Sequence, residues 1–433
     1  MEISLIQVLV IAGLCALTSY IAHMGMAVFH DGVRPIIPEY IEGRMNRAEL
    51  ASIAFGLSIG FVASVGIAHT VSTGILNPWL LFLPTDILGL MAPKKWLAPI
   101  FGAIWGALVV TSLSLVNGLL TSLPVDLIGA MGQLSDPVVA GFALFPILAI
   151  FYQFGKKSGF IALGITLIIR QIVSVYTTLY PESIQVFVGI VLLIGFAIAK
   201  DIKNKDKKTE NTEGVFAERI ARIRKNIVWL ALGGAVISIA ANLHFFAGSE
   251  VSIYTISDAL KATDPTVSNT LIKQAAFAEF MRSLSFVPLI ATTAIATGVY
   301  GVAGLTFIYP IAYLSPNWMI AGALGAVIMC VEILALGLIG KELEKFPSIR
   351  DASDSIRSAM TTVMEFALLI GSIMAVIKMG GYTGFFIAAS MYFANEATGR
   401  PIMKLAIAPT AAIVTGVVLN ILYYVGLFVP IVA

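Results

Sequence analysis

The stretch Leu81–Gly89, LFLPTDILG, constrains this chain more than any other. It sets a proline and a carboxylate inside an apolar run. Proline has no backbone N–H and breaks the helical ladder. Asp86 lies two residues after Pro84 and three before Gly89, and a near copy returns as Leu123-Pro124-Val125-Asp126-Leu127-Ile128-Gly129. In hydrocarbon the freed carbonyls and the carboxylate need partners, so such a segment is tolerated only inside protein or beside a wet cavity. Two readings follow. Either the copies are broken membrane segments lining a polar site, with Thr85, Asp86 and Asp126 among its residues, or they are helix ends at the membrane surface, each with an acid near its cap. The second copy reads more like a loop, which ranks Asp86 ahead of Asp126.

Composition fixes the solvent. The 433 residues are 58% hydrophobic and only 12% charged, where a soluble domain is about a quarter charged. A span takes about 20 apolar residues, so the apolar length allows about ten to twelve crossings or re-entrant pieces. The predicted class is an all-α polytopic membrane protein. A net charge of +2 gives no nucleic-acid reading. Cys15 and Cys330 sit in apolar runs and read as small core residues, and the four histidines have no ligand spacing, so neither a disulfide nor a metal is expected. The first segment carries Glu2, lacks a basic n-region and runs too long for a signal peptide.

Taken in order, residues 4–28 form a first span, followed by an amphipathic piece with Arg34, Arg44 and Arg47. Excess arginine marks the cytoplasmic side, which turns the amino terminus outward. Residues 51–70 span again, with Gly56, Gly60 and Gly66 allowing close helix approach. Gly74, Pro78 and Pro84 cut residues 71–91 into pieces too short to cross, a re-entrant hairpin or an unwound helix. Spans follow at 97–120, 138–154, 158–179 and 183–199, the middle pair separated by Lys156-Lys157. The first half is thus 1–199. Residues 200–225 are a basic cytoplasmic segment, in which Phe216–Lys225 is either an amphipathic surface helix or, more plainly, part of a solvated linker. The second half, 226–433, opens with a span at 226–247 and a polar outer stretch, Gly248–Asn269. Segments at 271–299, 301–314, 317–340, 358–378, 382–396 and 405–430 complete it, the carboxyl terminus facing outward.

Phe29–Arg34 (FHDGVR) and Phe277–Arg282 (FAEFMR) both read Phe-x-acid-x-apolar-Arg, and each half has a proline-broken piece, Leu83-Pro84 and Tyr309-Pro310. Two repeats of opposite orientation would give that pattern, the architecture of many secondary transporters. Asp31/Arg34 and Glu279/Arg282 are either structural ion pairs, since an acid three residues before an arginine shares its helix face, or half of a site for a charged solute. A lone charge at the bilayer centre costs roughly 2.5–3.5 kcal/mol on insertion scales, so each needs a partner or a function. Glu365, with no cation within a helical turn, ranks first among Asp86, Arg170, Glu332, Glu365 and Lys378; Glu332 can be placed near an edge and Lys378 can snorkel. Asn395, Glu396 and Arg400 read as an unwound tip or a plain helix end.

Ala27–Val65, LPTDILG, FALFPILAIFYQFG, FAGSEVSI, AEFMRSLSFVPLIATTAIATGVY and GYTGFFIA together resemble the YhfT family of bacterial inner-membrane proteins, over essentially the whole chain. That resemblance implies a multi-pass inner-membrane protein and assigns no residue. Two halves with proline-broken segments are also similar in architecture, by analogy alone, to the ascorbate/galactitol-type membrane components of the phosphotransferase system, which work as dimers by moving one domain against another.

The leading expectation is an elevator-type secondary transporter for a small polar or anionic solute, a homodimer in lipid. Carboxylates would take a coupling sodium ion or proton, and Arg34, Arg282 or Arg400 would hold an anionic group. The alternatives are a phosphotransferase-type permease served by a separate phosphocarrier, or a membrane-embedded enzyme or assembly subunit. No Ser/His/Asp or metal constellation favours an enzyme.

Overall fold

A computed structural model describes residues 4–30, 32–177, 181–203, 213–402 and 404–430. About 83% of the chain is helical. The first half runs α1 (Leu5–His23), β1 (Ala27–Val28), α2 (Ile37–Ile41), α3 (Arg47–Phe61), a π-helical turn (Val62–Gly66), α4 (Ile67–Thr73), α5 (Pro78–Met91), α6 (Leu97–Thr121), α7 (Leu127–Met131), α8 (Ser135–Tyr176) and α9 (Pro181–Lys203). The second runs α10 (Glu213–Lys225), α11 (Ile227–Asn242), α12 (Glu250–Lys261), α13 (Pro265–Thr297), β2 (Tyr300–Gly301), α14 (Ile308–Leu314), α15 (Trp318–Lys345), α16 (Pro347–Ala397) and α17 (Lys404–Tyr424). Among the described residues, seven helices are long and apolar enough to cross a bilayer, or up to eight if the bent pair α10–α11 is one span. Large apolar side chains on the outer faces of α6 (Ile104, Leu108) and α15 (Val327, Val331) are exposed, as lipid-facing positions are. This is an all-α polytopic membrane protein.

Two groups of helices frame the interior. In one, α1 packs on α5, α6 and α11, while α11 packs on α14 and α15. Glycine makes both main contacts possible. A Cβ on Gly102 of α6 would lie 2.1 Å from the carbonyl oxygen of Cys15 in α1, and one on Gly325 of α15 would lie 2.5 Å from that of Gly234 in α11. Such backbone approach is how helices associate where no water is left to expel. In the other group α8, α9, α16 and α17 pack together. Both of its long helices are broken at glycine: α8 at Gly155 (φ 80°) and α16 at Gly380–Gly381 (φ 52° at the second). Between the groups run α3–α4, which with its π turn touches α5 and α17, and α13, which touches α14, α9 and α16.

Three local expectations change. The break near Asp86 falls at residues 74–77, not at Pro84, and α5 runs unbroken through the proline. The carbonyl of Leu80, whose helical donor Pro84 removes, instead accepts the indole N–H of Trp105 at 3.1 Å. The polar stretch from Gly248 is not simply exposed: it holds α12, with Glu250, Ser252 and Ser257 buried. The basic segment is a docked helix where described: Ile220 and Ile223 of α10 are buried, and Arg224 donates to the Leu334 carbonyl of α15 at 3.1 Å.

Candidate functional site at the crossing strands

Two helices stop short and continue as extended chain. Gly74 ends α4 and Gly298 ends α13, each in the left-handed conformation, the usual glycine stop for a helix. Extended backbone in an apolar interior must find partners for its N–H and C=O groups. Here it finds them across the two halves. Strand β2, after α13, pairs in parallel with β1, after α1, with Ala27 opposite Tyr300. Leu76, after α4, pairs in parallel with Phe246, after α11; Ala247 N–H donates to the Leu76 carbonyl at 2.9 Å. Asn77 ties the second crossing down. Its amide donates to the Gly66 carbonyl in the π turn at 2.8 Å, and its side-chain oxygen caps Leu80 N–H at the start of α5.

Each turn that leaves the β1–β2 pair is held by a buried carboxylate from a neighbouring helix. Oδ2 of Asp86, on α5, accepts the N–H groups of Phe29 and His30 at 2.8 and 3.1 Å. Its Oδ1 has no hydrogen-bond partner among the described residues. Glu332, on α15, uses both oxygens: Oε2 accepts Leu305 N–H at 2.7 Å and the Tyr300 hydroxyl at 3.1 Å, and Oε1 accepts Phe307 N–H at 3.3 Å. That turn contains Thr306 at φ 77°, a strained conformation for a β-branched residue. The Glu332 bonds on either side, and a 2.9 Å bond from Thr306 to Ser283, hold it there. Arg34 is buried beside β2; a Cβ on Gly301 would lie 2.9 Å from its Nη2.

A second polar cluster adjoins the first. Glu279, in the middle of α13, is fully buried and accepts the hydroxyls of Ser249 and Ser252 at 2.5 Å each and Nε of Arg282 at 2.7 Å. The Arg282 guanidinium lies 5.3 Å from the Phe286 ring and 5.7 Å from that of Tyr309. Glu250, at the start of α12, accepts the indole N–H of Trp79 from α5. The Trp79 ring stacks on Phe61 at 4.9 Å and meets Phe29 edge-on at 5.4 Å. A narrow crevice, with room for about one water-sized sphere (10 Å³), runs from Arg282 and Ala278 to Val139, Phe142, Glu182 and Val186 on α8 and α9.

The structure brings Thr85, Asp86, Arg34, Glu279 and Arg282 into this centre. Asp31 lies outside the described residues. Thr85 is buried and bonds Thr18 of α1 at 3.0 Å. Asp126 is exposed and caps the five-residue α7 through Gly129 N–H at 2.8 Å, so the second Leu-Pro-x-Asp copy is a helix end. Glu365 is half-buried on α16, with no hydrogen bond or ion pair among the described residues. Asn395 closes the turn to Ile402 through both its amide atoms, at 2.8 and 2.9 Å, and Arg400 pairs with Glu396 at 2.7 Å on the surface. All three belong to a helix-ending turn. The two Phe-x-acid-x-apolar-Arg motifs fall in unlike settings, one in the turn past β1 and one inside α13. Sequence reasoning ranked Glu332 below Glu365, yet Glu332 is the buried one. It missed Glu250, whose signal was an acid between two serines in the otherwise apolar FAGSEVSI. Outside the spans, a hydrogen bond from Arg44 to Glu39, at 2.6 Å, holds that carboxyl below its usual range.

A family model, YhfT, described as a protein of unknown function, matches residues 7–428. The chain belongs to the YhfT family. It is 57% identical over 429 residues to the uncharacterized protein YhfT of Escherichia coli (strain K12), covering 98% of this chain and 99% of that protein. No solved structure matches.

Proposed function

We propose that this member of the YhfT family is a secondary transporter of a small polar solute in the bacterial inner membrane, working by alternating access and coupled to a proton or sodium ion. The observation that carries the reading is the pair of crossings, where extended backbone and buried carboxylates meet inside one group of helices, beside the α3–α4 and α13 elements that separate it from the other. Irregular backbone at such depth is tolerated where it is enclosed in protein or lines a cavity, and broken helices around a central site are a recurring feature of transporters.

The order of elements supports an inverted repeat. α1 and α11 each precede an extended segment, α4 and α13 each end at a left-handed glycine, and α5 and α14 are the short helices that follow. The crossings exchange these roles, since each joins a segment after the first helix of one half to a segment after the broken helix of the other. The glycine breaks in α8 and α16 give the outer group points at which to bend, and motion of that group past the seam formed by α3–α4 and α13 is the elevator-type step. In this reading Asp86 takes the coupling cation, because one of its oxygens is unused.

Protein reconstituted in liposomes holding a fluorescent proton or sodium indicator tests this. Challenge with sugars, amino acids and organic acids is expected to move the cation with one solute class, and Asp86→Asn is expected to abolish the movement. Failure of every class to move either ion above the level of empty liposomes overturns the reading.

A further inference from the structure

We infer that Arg282 is the anion-binding element of the central site, and that the solute it takes is a small organic monocarboxylate. This inference rests on the transport reading and names the chemistry of its site.

Arg282 is 8% exposed and Tyr309 1%. Neither Nη2 of Arg282 nor the hydroxyl of Tyr309 has a hydrogen-bond partner among the described residues. A buried donor without an acceptor is costly, and for a cation more so. The Arg282 guanidinium is also restricted in how it can be approached. Two aromatic rings lie within cation–π range of it, and its Nε edge is committed to Glu279. The remaining donors lie in the guanidinium plane, the direction from which a carboxylate is recognised.

The crevice says where such a group would sit. Arg282 and Ala278 form the α13 wall, and the facing wall comes from α8 and α9. That facing wall is mainly apolar (Val139, Phe142, Val186) and suits the carbon body of a solute. Only a water-sized space is present between the walls, so a solute enters when α8 and α9 part from α13. Glu182 lies in the same crevice but is held by Arg170 at 2.5 Å.

Among anions, charge favours a monoanion over a dianion. Glu279 and Glu250 lie on the Arg282 side, and Glu182 is balanced by Arg170. The cluster's formal charge is therefore already negative by one. Any anion meets that surplus, but a dianion such as hydrogen phosphate meets it with two charges and a carboxylate with one, and the carboxylate brings two in-plane acceptors to the guanidinium.

Thermal unfolding of the full chain in detergent, with propionate, lactate, pyruvate, inorganic phosphate or glucose as the added probe, tests this. At least one monocarboxylate at about 10 mM is expected to raise the melting temperature by mass action, with no shift from phosphate. Arg282→Gln should remove the shift. Val186→Phe, which leaves the Glu279–Arg282 pair intact and adds bulk to the crevice wall facing it, should raise the carboxylate concentration needed by about fivefold or more. An unchanged carboxylate response in Val186→Phe or in Arg282→Gln, or no response of the wild type to any of the three acids, overturns the assignment. A shift with glucose alone overturns the anion site and leaves the transport reading standing. Carboxylate binding that is lost in Arg282→Gln, without cation-driven uptake in liposomes, supports the site and overturns transport.

Discussion

Asp86 and Glu332 stand at comparable places and are used differently. Each is a buried acid on the helix beside a turn that leaves the β1–β2 pair, and each accepts backbone N–H groups from that turn. Glu332 spends both oxygens, on two N–H groups and a tyrosine hydroxyl, and in doing so secures a turn with a strained threonine. Asp86 spends one oxygen on both of its N–H groups and keeps the other unused. A carboxylate with both oxygens engaged is a fixed part of the architecture. One with a spare oxygen can take a proton or a cation without dismantling the turn it holds.

Replacing Glu332 should break the comparison most severely. Glu332→Ala strands three buried donors, and about 3–5 kcal/mol of stability should go with them. Detergent thermal melts read this directly, and a melting temperature equal to wild type would remove Glu332 from its structural role. The glycine contacts come next. Gly325→Val and Gly102→Val should each cost about 1–3 kcal/mol by overpacking. Similar losses in the two variants would show the α1–α6 and α11–α15 contacts to be energetically alike, while a loss in only one would show the halves to be built on different terms. Trp105→Phe should cost about 1 kcal/mol, because the Leu80 carbonyl loses its donor. Pro84→Ala in that background restores a helical N–H and should recover most of it, and an additive double mutant would mean the indole bond is not compensating the proline. Asp86→Asn keeps an acceptor for Phe29 and His30 and should change stability by less than about 1 kcal/mol, while ending cation coupling. A large loss of stability there would make the two acids alike after all. Glu365→Gln should lie within about 0.5 kcal/mol of wild type, and a larger effect would point to a contact of Glu365 outside this account.

Much of this was legible in the sequence. Sparse charge gave the membrane class, and Gly74, Pro78 and the Lys156-Lys157 pair lay within a few residues of real breaks. The i,i+3 spacing of Glu279 and Arg282 foretold a pair that exists at 2.7 Å. What failed did so for identifiable reasons. Pro84 looked like a break because a proline's cost is visible in sequence, while Trp105, which offsets it from another helix, is not. Glu332 looked peripheral because its donors, two backbone N–H groups and the Tyr300 hydroxyl, come from the segment between α13 and α14 and not from its own helix. The second Leu-Pro-x-Asp copy resembled the first in letters, but Asp126 is an exposed cap of a five-residue helix. The pairing of Leu76 with Phe246 joins backbone to backbone across 170 residues, and no side-chain pattern records it.

The most direct test asks whether the crevice beside Arg282 opens to both sides of the membrane. Ala278→Cys, in a background with Cys15→Ala and Cys330→Ala, places one small thiol on its wall. Right-side-out and inside-out vesicles treated with a membrane-impermeant maleimide then report access from each face. Alternating access predicts labelling from either side, slowed by a bound carboxylate. Labelling from one side only, with protein of normal stability, would contradict it.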